Sequence, residues 1–192
     1  MQPDQVEKIA VLGAGVMGHG IAQVAASAGY KVVVRDIAQE YLNKGEESVK
    51  SSLSRLVKRE RISEEEMDEI LNRINFTTDL EEAVGDAQLV LEAIPEKMGL
   101  KHMVWKEVDQ YAPPEAILAT NTSSLSITEI AEAVSNPERF IGMHFFNPPA
   151  IMRLVEVNPG EQTSEETVKT VMDIARKMGK TPVWVKKMHP AS

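Results

Sequence analysis

A run of glycines near the start of the chain constrains the fold more than any other feature. Residues 9–20 read I-A-V-L-G-A-G-V-M-G-H-G, an apolar stretch broken by the spacing G-x-G-x-x-G at Gly13, Gly15 and Gly18. Apolar residues resume at Ile21, so the pattern predicts a strand, a tight turn and a helix. Gly13 permits the turn, Gly15 lets the backbone approach a pyrophosphate, and Gly18 lets the helix pack against the strand. The N–H groups at the helix N-terminus would face the phosphates.

The residues after this turn favour a dinucleotide site over an ordinary turn between a strand and a helix. Gly29 is placed to end the helix, and residues 30–35 predict a second strand, Y-K-V-V-V-R, followed by Asp36. A dinucleotide-binding βαβ unit has an acid at this distance from the glycines, where it binds the ribose hydroxyls of the adenosine. A carboxylate there would repel a 2′-phosphate, so the pattern indicates NAD. Arg35 argues for a phosphate, but it precedes the acid and is expected to face the other side of the strand.

The composition excludes several other classes of protein. The 192 residues are enough for one domain with a full core, or one domain and a short appendage, and their net charge of −8 disfavours general binding to nucleic acid or anionic membranes. The sequence contains neither a secretion signal nor an apolar run long enough to predict a membrane span. The chain has no cysteine, which excludes disulfides and thiolate ligands. We predict no metal site and expect a cytoplasmic location.

Strand and helix patterns alternate along the rest of the chain, which predicts an α/β fold of the Rossmann type with a doubly wound, mostly parallel sheet. A helical hairpin is expected after the second strand, formed by residues 37–61 and by residues 63–73, which open with a capping box. The later predicted strands cover residues 74–77, 88–94, 116–120, 140–145, 154–157 and 182–185. The later predicted helices cover residues 79–84, 98–111, 127–134 and 163–178. We expect residues 1–186 to form the dinucleotide-binding domain.

His144 is the histidine whose position best suits catalysis. It lies at the carboxyl end of an apolar strand, and Glu156 could return on the neighbouring strand to orient its ring. A neutral imidazole can accept the proton of a hydroxyl group at neutral pH. A hydrogen-bonded core histidine is the alternative. His19 in the glycine turn, His102 on a helix surface and His189 near the end of the chain are expected to be incidental.

Two clusters of charge are open to two interpretations each. Glu92 and Glu96 follow an apolar strand; they are either solvated loop residues or part of a ligand site at the carboxyl end of that strand. Residues 58–61, K-R-E-R, are either cations near a helix C-terminus or a docking point for an anionic ligand tail.

Five tracts together resemble a known family. They are G-A-G-V-M-G-H-G-I-A, E-A-I-P-E, N-T-S-S-L, H-F-F-N-P and L-V-E-V, and in this order and spacing they are similar to the NAD-binding domain of L-3-hydroxyacyl-CoA dehydrogenases. The resemblance covers essentially the whole chain. It implies NAD as cofactor, an acyl-CoA of fatty acid β-oxidation as substrate, and exchange of hydride between a 3-hydroxyl and a 3-keto group.

The resemblance also implies roles for particular residues. His144 would be the general base and Glu156 its orienting partner, while Ser123 and Asn147 would bind the 3-oxygen region of the substrate and help to place the cofactor. Ser52 and Arg59 match positions that touch coenzyme A, although the family often has lysine where this chain has Arg59. The cofactor-binding residues implied are Gly13, Ala14, Gly15, Val16, Met17, Gly18, Asp36, Glu96, Lys101, Ser123 and Asn147. Ser123 or Ser124 could instead cap the following helix.

The sequence departs from the family pattern at the end of the chain. Family members continue with P-G-F-x-x-N-R and a helical domain that completes the substrate pocket and dimerises, whereas this sequence ends at Pro190-Ala191-Ser192. We therefore expect residues 187–192 to be the truncated start of a linker, with dimerisation through the absent domain. Two rival functions stay open: oxidation of a sugar acid such as L-gulonate on the same fold, and a non-catalytic dinucleotide-binding module.

Overall fold

The computed structural model describes residues 1–186. Its strands are Lys8–Leu12 (β1), Lys31–Arg35 (β2), Ile74–Thr77 (β3), Leu89–Glu92 (β4), Ile117–Thr120 (β5), Phe140–Phe145 (β6), Leu154–Pro159 (β7) and Thr181–Trp184 (β8). Its α-helices are Val16–Ser27 (α1), Gln39–Lys58 (α2), Glu64–Asn72 (α3), Leu80–Val84 (α4), Met98–Tyr111 (α5), Ile127–Ala131 (α6) and Glu165–Lys177 (α7). The predicted linker at residues 187–192 and His189 lie outside the described residues.

The strands form one sheet in the order β3-β2-β1-β4-β5-β6-β7-β8. Every neighbouring pair is parallel except β6 and β7, which are antiparallel. The strand order reverses direction between β1 and β4, and open sheets of this kind bind ligands at the carboxyl ends of the strands beside such a reversal. The predicted mostly parallel Rossmann sheet is confirmed.

Helices cover both faces of the sheet, because the strands are apolar on both sides. One face packs against α1, α2, α3 and α7, with Ile21, Leu53 and Ile174 fully buried in its core. The other packs against α4, α5 and α6, with Trp105 and Ile130 fully buried there. The sheet is therefore doubly wound, and α2 and α3 form the predicted helical hairpin between β2 and β3.

Close packing explains two of the three glycines of the first turn. Gly13 has a φ of +104°, and a Cβ there would lie 2.6 Å from the carbonyl oxygen of Ala93. A Cβ at Gly18 would lie 1.8 Å from the carbonyl oxygen of Gly13. Both distances are below van der Waals contact, so the turn between β1 and α1 can close only without these side chains.

Two of the element boundaries that differ from prediction have local causes. Helix α6 ends at Ala131 rather than at residue 134, because the amides of residues 132–134 bind the carbonyl oxygens three residues earlier in tighter turns. Strand β4 ends at Glu92 rather than at residue 94, since the amide of Ile94 binds the side chain of Glu92 at 3.0 Å instead of a neighbouring strand.

Candidate functional site

The glycine turn leaves space where a dinucleotide would lie. A Cβ placed on Gly15 would meet no atom within 4 Å, and Gly15 is the N-cap of α1. The first N–H groups of α1 have no acceptor within the helix, so they can donate to phosphate oxygens. The turn thus suits a pyrophosphate, with Val16 exposed and Met17 half-buried beside it.

Asp36 is attached to the same turn. Its Oδ2 accepts a hydrogen bond of 2.8 Å from the N–H of Ala14, and its Oδ1 accepts one of 2.7 Å from the N–H of Ile37. The Ala14 amide is therefore engaged with Asp36. The neighbouring Arg35 donates from Nε to the carbonyl oxygen of Thr78 at 3.2 Å, so this nitrogen is bound beside β3. Asp36 thus places a carboxylate at the edge of the glycine turn.

A cavity of about 300 Å³ brings together five residues implied by the resemblance. It lies beside the carboxyl ends of the strands, where α/β sheets bind ligands. The five residues are Met17, Glu96, Ser123, His144 and Asn147. Because they come from four separate tracts of the sequence, their convergence depends on the sheet topology.

His144 and Glu156 face each other across the antiparallel pair β6 and β7, where they are direct register partners. The Nδ1 of His144 lies 3.3 Å from Oε1 of Glu156, and the ring of Phe146 packs against the imidazole with a centroid distance of 4.6 Å. Within residues 1–186, Nε2 of His144 has no hydrogen-bond partner. The histidine thus has one nitrogen beside a carboxylate and the other available for a ligand.

Glu96 organises the turn that carries Ser123. Its Oε2 accepts hydrogen bonds from Oγ1 of Thr122 at 2.6 Å, from the N–H of Ser123 at 3.3 Å and from Oγ of Ser124 at 3.3 Å. Burial acts to raise the pKa of Glu96, but hydrogen bonds from Thr122 and Lys101, the charge of Lys101 and the Ser123 amide outweigh it and lower that pKa below its usual value. The carboxylate therefore stays ionised at the edge of the cavity.

Neither Ser123 nor Ser124 caps a helix. The N-cap of α6 is Ser126, whose Oγ accepts from the N–H of Glu129 at 3.3 Å. The capping alternative for the first two serines is therefore wrong, because the helix begins at Ile127, three residues after Ser124, and the Ser124 hydroxyl binds Glu96.

The interpretation of Glu92 as a solvated loop residue is also wrong. Glu92 is the last residue of β4 and is fully buried. The side chain of Lys101 on α5 is only 1% exposed. The Nζ of Lys101 donates to Oε2 of Glu92 at 2.6 Å and lies 3.1 Å from Oε1 of Glu96. Lys101 therefore lies beneath the cavity, and its side chain reaches the cavity edge through Glu96.

A second region, the basic groove, runs between α2 and the loop that joins β6 to β7. It consists of two adjoining cavities of about 660 and 770 Å³ that share Gln23, Ser52, Arg55, Pro148 and Ala150. Its charged lining residues are Lys44, Glu47, Arg55, Arg59, Arg153, Lys177 and Lys180. Six cations face one carboxylate in a chain of net charge −8, so the groove is suited to an anionic ligand.

Asn147 connects the two regions, because it lines both the cavity of His144 and the larger groove. Lys180 holds the loop that carries it: Nζ donates to the carbonyl oxygens of Pro149 and, at 2.8 Å, of Met152. Burial, together with the nearby Arg153, lowers the pKa of Lys180. Sequence reasoning missed Lys180 and Arg55, although Ser52, Arg55 and Arg59 are spaced by three and four, the spacing of one helix face.

The remaining histidines differ in position. His102 on α5 is paired through Nε2 with the carbonyl oxygen of Glu129 at 2.6 Å, which fits the predicted incidental role. His19 lines the basic groove.

In the described part of the chain, no helix is both long and apolar enough to cross a bilayer.

Comparison with known proteins decides the family. The model of the 3-hydroxyacyl-CoA dehydrogenase family, NAD binding domain, matches residues 8–188. The chain belongs to this family. Its glycine turn, with space before Gly15 and Asp36 at its edge, fits the NAD that the family description names.

Individual members of the family are similar over most of this chain. Probable 3-hydroxybutyryl-CoA dehydrogenases of Deinococcus radiodurans and Bacillus subtilis are 48% identical to it over 92% and 94% of its length. The chain spans 63% of each of these two relatives. The crystal structure of (S)-3-hydroxybutyryl-CoA dehydrogenase from Ralstonia eutropha is 40% identical, with a TM-score of 0.93 over 96% of this chain and 65% of that one. The corresponding Escherichia coli K12 structure has a TM-score of 0.91 at 40% identity, over 94% of this chain and 38% of that one.

Proposed function

We propose that this domain binds NAD and carries the general base of an oxidoreductase that interconverts (S)-3-hydroxyacyl-CoA and 3-oxoacyl-CoA. The observation that carries the proposal is the placement of His144, with Nδ1 beside Glu156, at a cavity that also contains Ser123 and Asn147. Relatives named 3-hydroxybutyryl-CoA dehydrogenases support it.

His144 would act as base through Nε2. Because Nδ1 faces Glu156, the carboxylate favours the tautomer with the proton on Nδ1 and leaves the Nε2 lone pair for the 3-hydroxyl proton. Glu156 would also stabilise the imidazolium that forms. The hydrogen on C3 departs as a hydride, which NAD accepts when bound. In the reverse direction the imidazolium returns its proton to the 3-oxygen.

Ser123 and Asn147 would bind the 3-oxygen of the substrate. Both line the cavity of His144, and both are exposed. A hydroxyl and an amide donor at this place would stabilise charge on the carbonyl oxygen as hydride arrives. Thr122 and Glu96 fix the backbone of the Ser123 turn, so the donor would be preorganised.

The basic groove would hold the coenzyme A part of the substrate. Coenzyme A carries three phosphate groups, and the groove offers Arg55, Arg59 and four lysine or arginine side chains besides. Ser52 lies where its two cavities meet. Since Asn147 borders the groove, an acyl thioester could extend from it to His144. Replacement of Arg59 by Ala should weaken acetoacetyl-CoA binding more than it weakens NADH binding.

The test follows NADH oxidation by the 192-residue chain with acetoacetyl-CoA, together with calorimetric titrations of NADH and acetoacetyl-CoA. We expect both ligands to bind. Binding of NADH with no binding of acetoacetyl-CoA would contradict the substrate assignment, and oxidation of a sugar acid such as L-gulonate would favour that rival.

A chimera with a longer relative tests whether this domain supports catalysis when the rest of the relative's chain is present. Residues 8–186 would replace the corresponding segment of the Bacillus subtilis relative, and the variant His144→Gln would be made in the chimera. We expect turnover in the chimera and a loss of at least about 1000-fold in the variant, with NADH affinity changed less than about threefold. An inactive chimera that binds both ligands would favour the non-catalytic module. Dimerisation through a further domain stays a prediction, which sedimentation of the chimera and of this chain would compare.

A further inference from the structure

A buried carboxylate beneath the cofactor site has no role in the chemistry proposed above. Glu92 is fully buried, and both of its oxygens are doubly hydrogen-bonded. Oε2 accepts from Nζ of Lys101 at 2.6 Å and from the N–H of Ile94 at 3.0 Å. Oε1 accepts from Oγ1 of Thr120 at 2.9 Å and from Nε1 of Trp105 at 3.3 Å.

Packing alone does not call for a charge at this position. The rest of β4 is Leu89, Val90 and Leu91, all fully buried. Removing a carboxylate from water costs several kcal/mol, and buried ion pairs replaced by apolar residues of similar volume often leave stability unchanged or improved. Apolar residues in place of both Glu92 and Lys101 would therefore serve the fold, and the buried charges need another explanation.

The charge of Glu92 reaches the cavity through Lys101. The same ammonium that binds Glu92 also donates to the carbonyl oxygen of Ile94 at 3.3 Å and lies 3.1 Å from Oε1 of Glu96. The other oxygen of Glu96 holds the N–H of Ser123. A continuous path of charged hydrogen bonds thus runs from the interior of β4 to the Ser123 turn.

We propose that Glu92 is a positioning residue of the cofactor site, acting through Lys101 on Glu96 and the Ser123 turn. With Glu92 present, two carboxylates share one ammonium, which is fixed on the interior side by a contact of 2.6 Å. Without the Glu92 charge, Glu96 is the only carboxylate left to this buried cation among the described residues. The ammonium then draws Glu96 inward from the edge of the cavity, and the Ser123 turn loses its acceptor.

This inference rests on the proposed role of Glu96 and Ser123 at the cofactor, and NADH binding by the chain tests it. The variant Glu92→Gln keeps the size of the side chain and removes its charge. We expect the Kd for NADH to rise about tenfold. The matched control is Trp105→Phe, which removes the Nε1–H hydrogen bond to Oε1, the oxygen that Lys101 does not contact. Its stability should fall as well, measured by urea unfolding, while the Kd rises less than about twofold.

A double-mutant cycle distinguishes positioning from general loosening of the fold. If Glu92 acts through Lys101, then Glu92→Gln should change the Kd by less than about twofold in a chain that already carries Lys101→Met. The proposal would be overturned if the losses of NADH affinity multiply in the double variant, or if Glu92→Gln and Trp105→Phe raise the Kd for NADH equally.

Two further results complete the test. If Glu92→Gln alone does not fold, the Kd values of Lys101→Met and of the double variant are compared directly, and a difference above about twofold refutes the proposal. NADH binding that is normal in every variant would overturn the positioning role and leave the proposed function intact. Absence of NADH binding by the unmodified chain would overturn both.

Discussion

The two glycines Gly15 and Gly18 lie three residues apart, yet the same substitution should affect different properties. A Cβ at Gly18 would lie 1.8 Å from a backbone carbonyl oxygen, so the turn must open by more than an ångström to reach even the 3.0 Å limit of real contacts. Overpacking against backbone costs about 3 kcal/mol, which lowers the Tm of a domain of this size by about 6 to 12 °C.

The methyl group of Gly15→Ala would instead enter open space. Gly15 has a φ of −70°, which alanine adopts freely, and no atom lies within 4 Å of the added Cβ. The stability should fall by no more than about 1 kcal/mol, since alanine is a weaker N-cap than glycine. The methyl would however keep a pyrophosphate from the helix N-terminus. Loss of one charge-assisted hydrogen bond, about 2 kcal/mol, raises the Kd for NADH about 30-fold.

The assay is differential scanning calorimetry and a calorimetric NADH titration of both variants beside the unmodified chain. We expect Gly15→Ala to melt within about 4 °C of the unmodified chain and to bind NADH weakly. Gly18→Ala should show the large shift in Tm. Normal NADH affinity in Gly15→Ala, or an equal loss of Tm in the two variants, would refute the reasoning.

Three further predictions concern single side chains. Asp36→Ala should weaken NADH binding while improving NADPH binding relative to it, because the carboxylate that would repel a 2′-phosphate is gone; an unchanged ratio of the two Kd values would contradict the choice of NAD. The stabilisation lost in Glu96→Gln should depend on pH. Because the folded-state pKa of Glu96 is lowered from 4.5, its contribution is complete above about pH 4.5 and disappears as pH falls through the lowered pKa, which urea unfolding at a series of pH values would show. Tyr30→Phe should raise stability by about 1 kcal/mol, since the Tyr30 hydroxyl is buried without a hydrogen-bond partner among residues 1–186; a fall in Tm would indicate a partner for that hydroxyl.

The sequence predicted the fold because its signals were local. Gly13 and Gly18 meet backbone atoms that any turn of this kind places there, and the apolar strands specify a sheet covered on both faces. The pairing of His144 with Glu156 was also within reach, since both lie on adjacent apolar strands at the carboxyl end of the sheet.

Other parts of the site depend on contacts that no local pattern encodes. Glu92 and Lys101 are nine residues apart and meet only because α5 packs back across β4. The capping role fell to Ser126 rather than Ser123 because Glu96, distant in sequence, engages the serines before it. One signal was available: a glutamate at the end of an otherwise apolar strand indicates a buried partner of opposite charge.

The antiparallel pairing of β6 with β7 makes the distance between His144 and Glu156 independent of the loop that joins the two strands. His144 and Glu156 are register partners, so the ladder of backbone hydrogen bonds, and not the intervening residues 146–153, sets their distance. A slip of β7 by one residue would turn Glu156 to the opposite face of the sheet. The part of the loop after Asn147 can therefore change in length and sequence, and with it the ligand that the loop contacts, while the histidine keeps its carboxylate. Substrate range could diversify in such a domain without altering its proton-transfer pair.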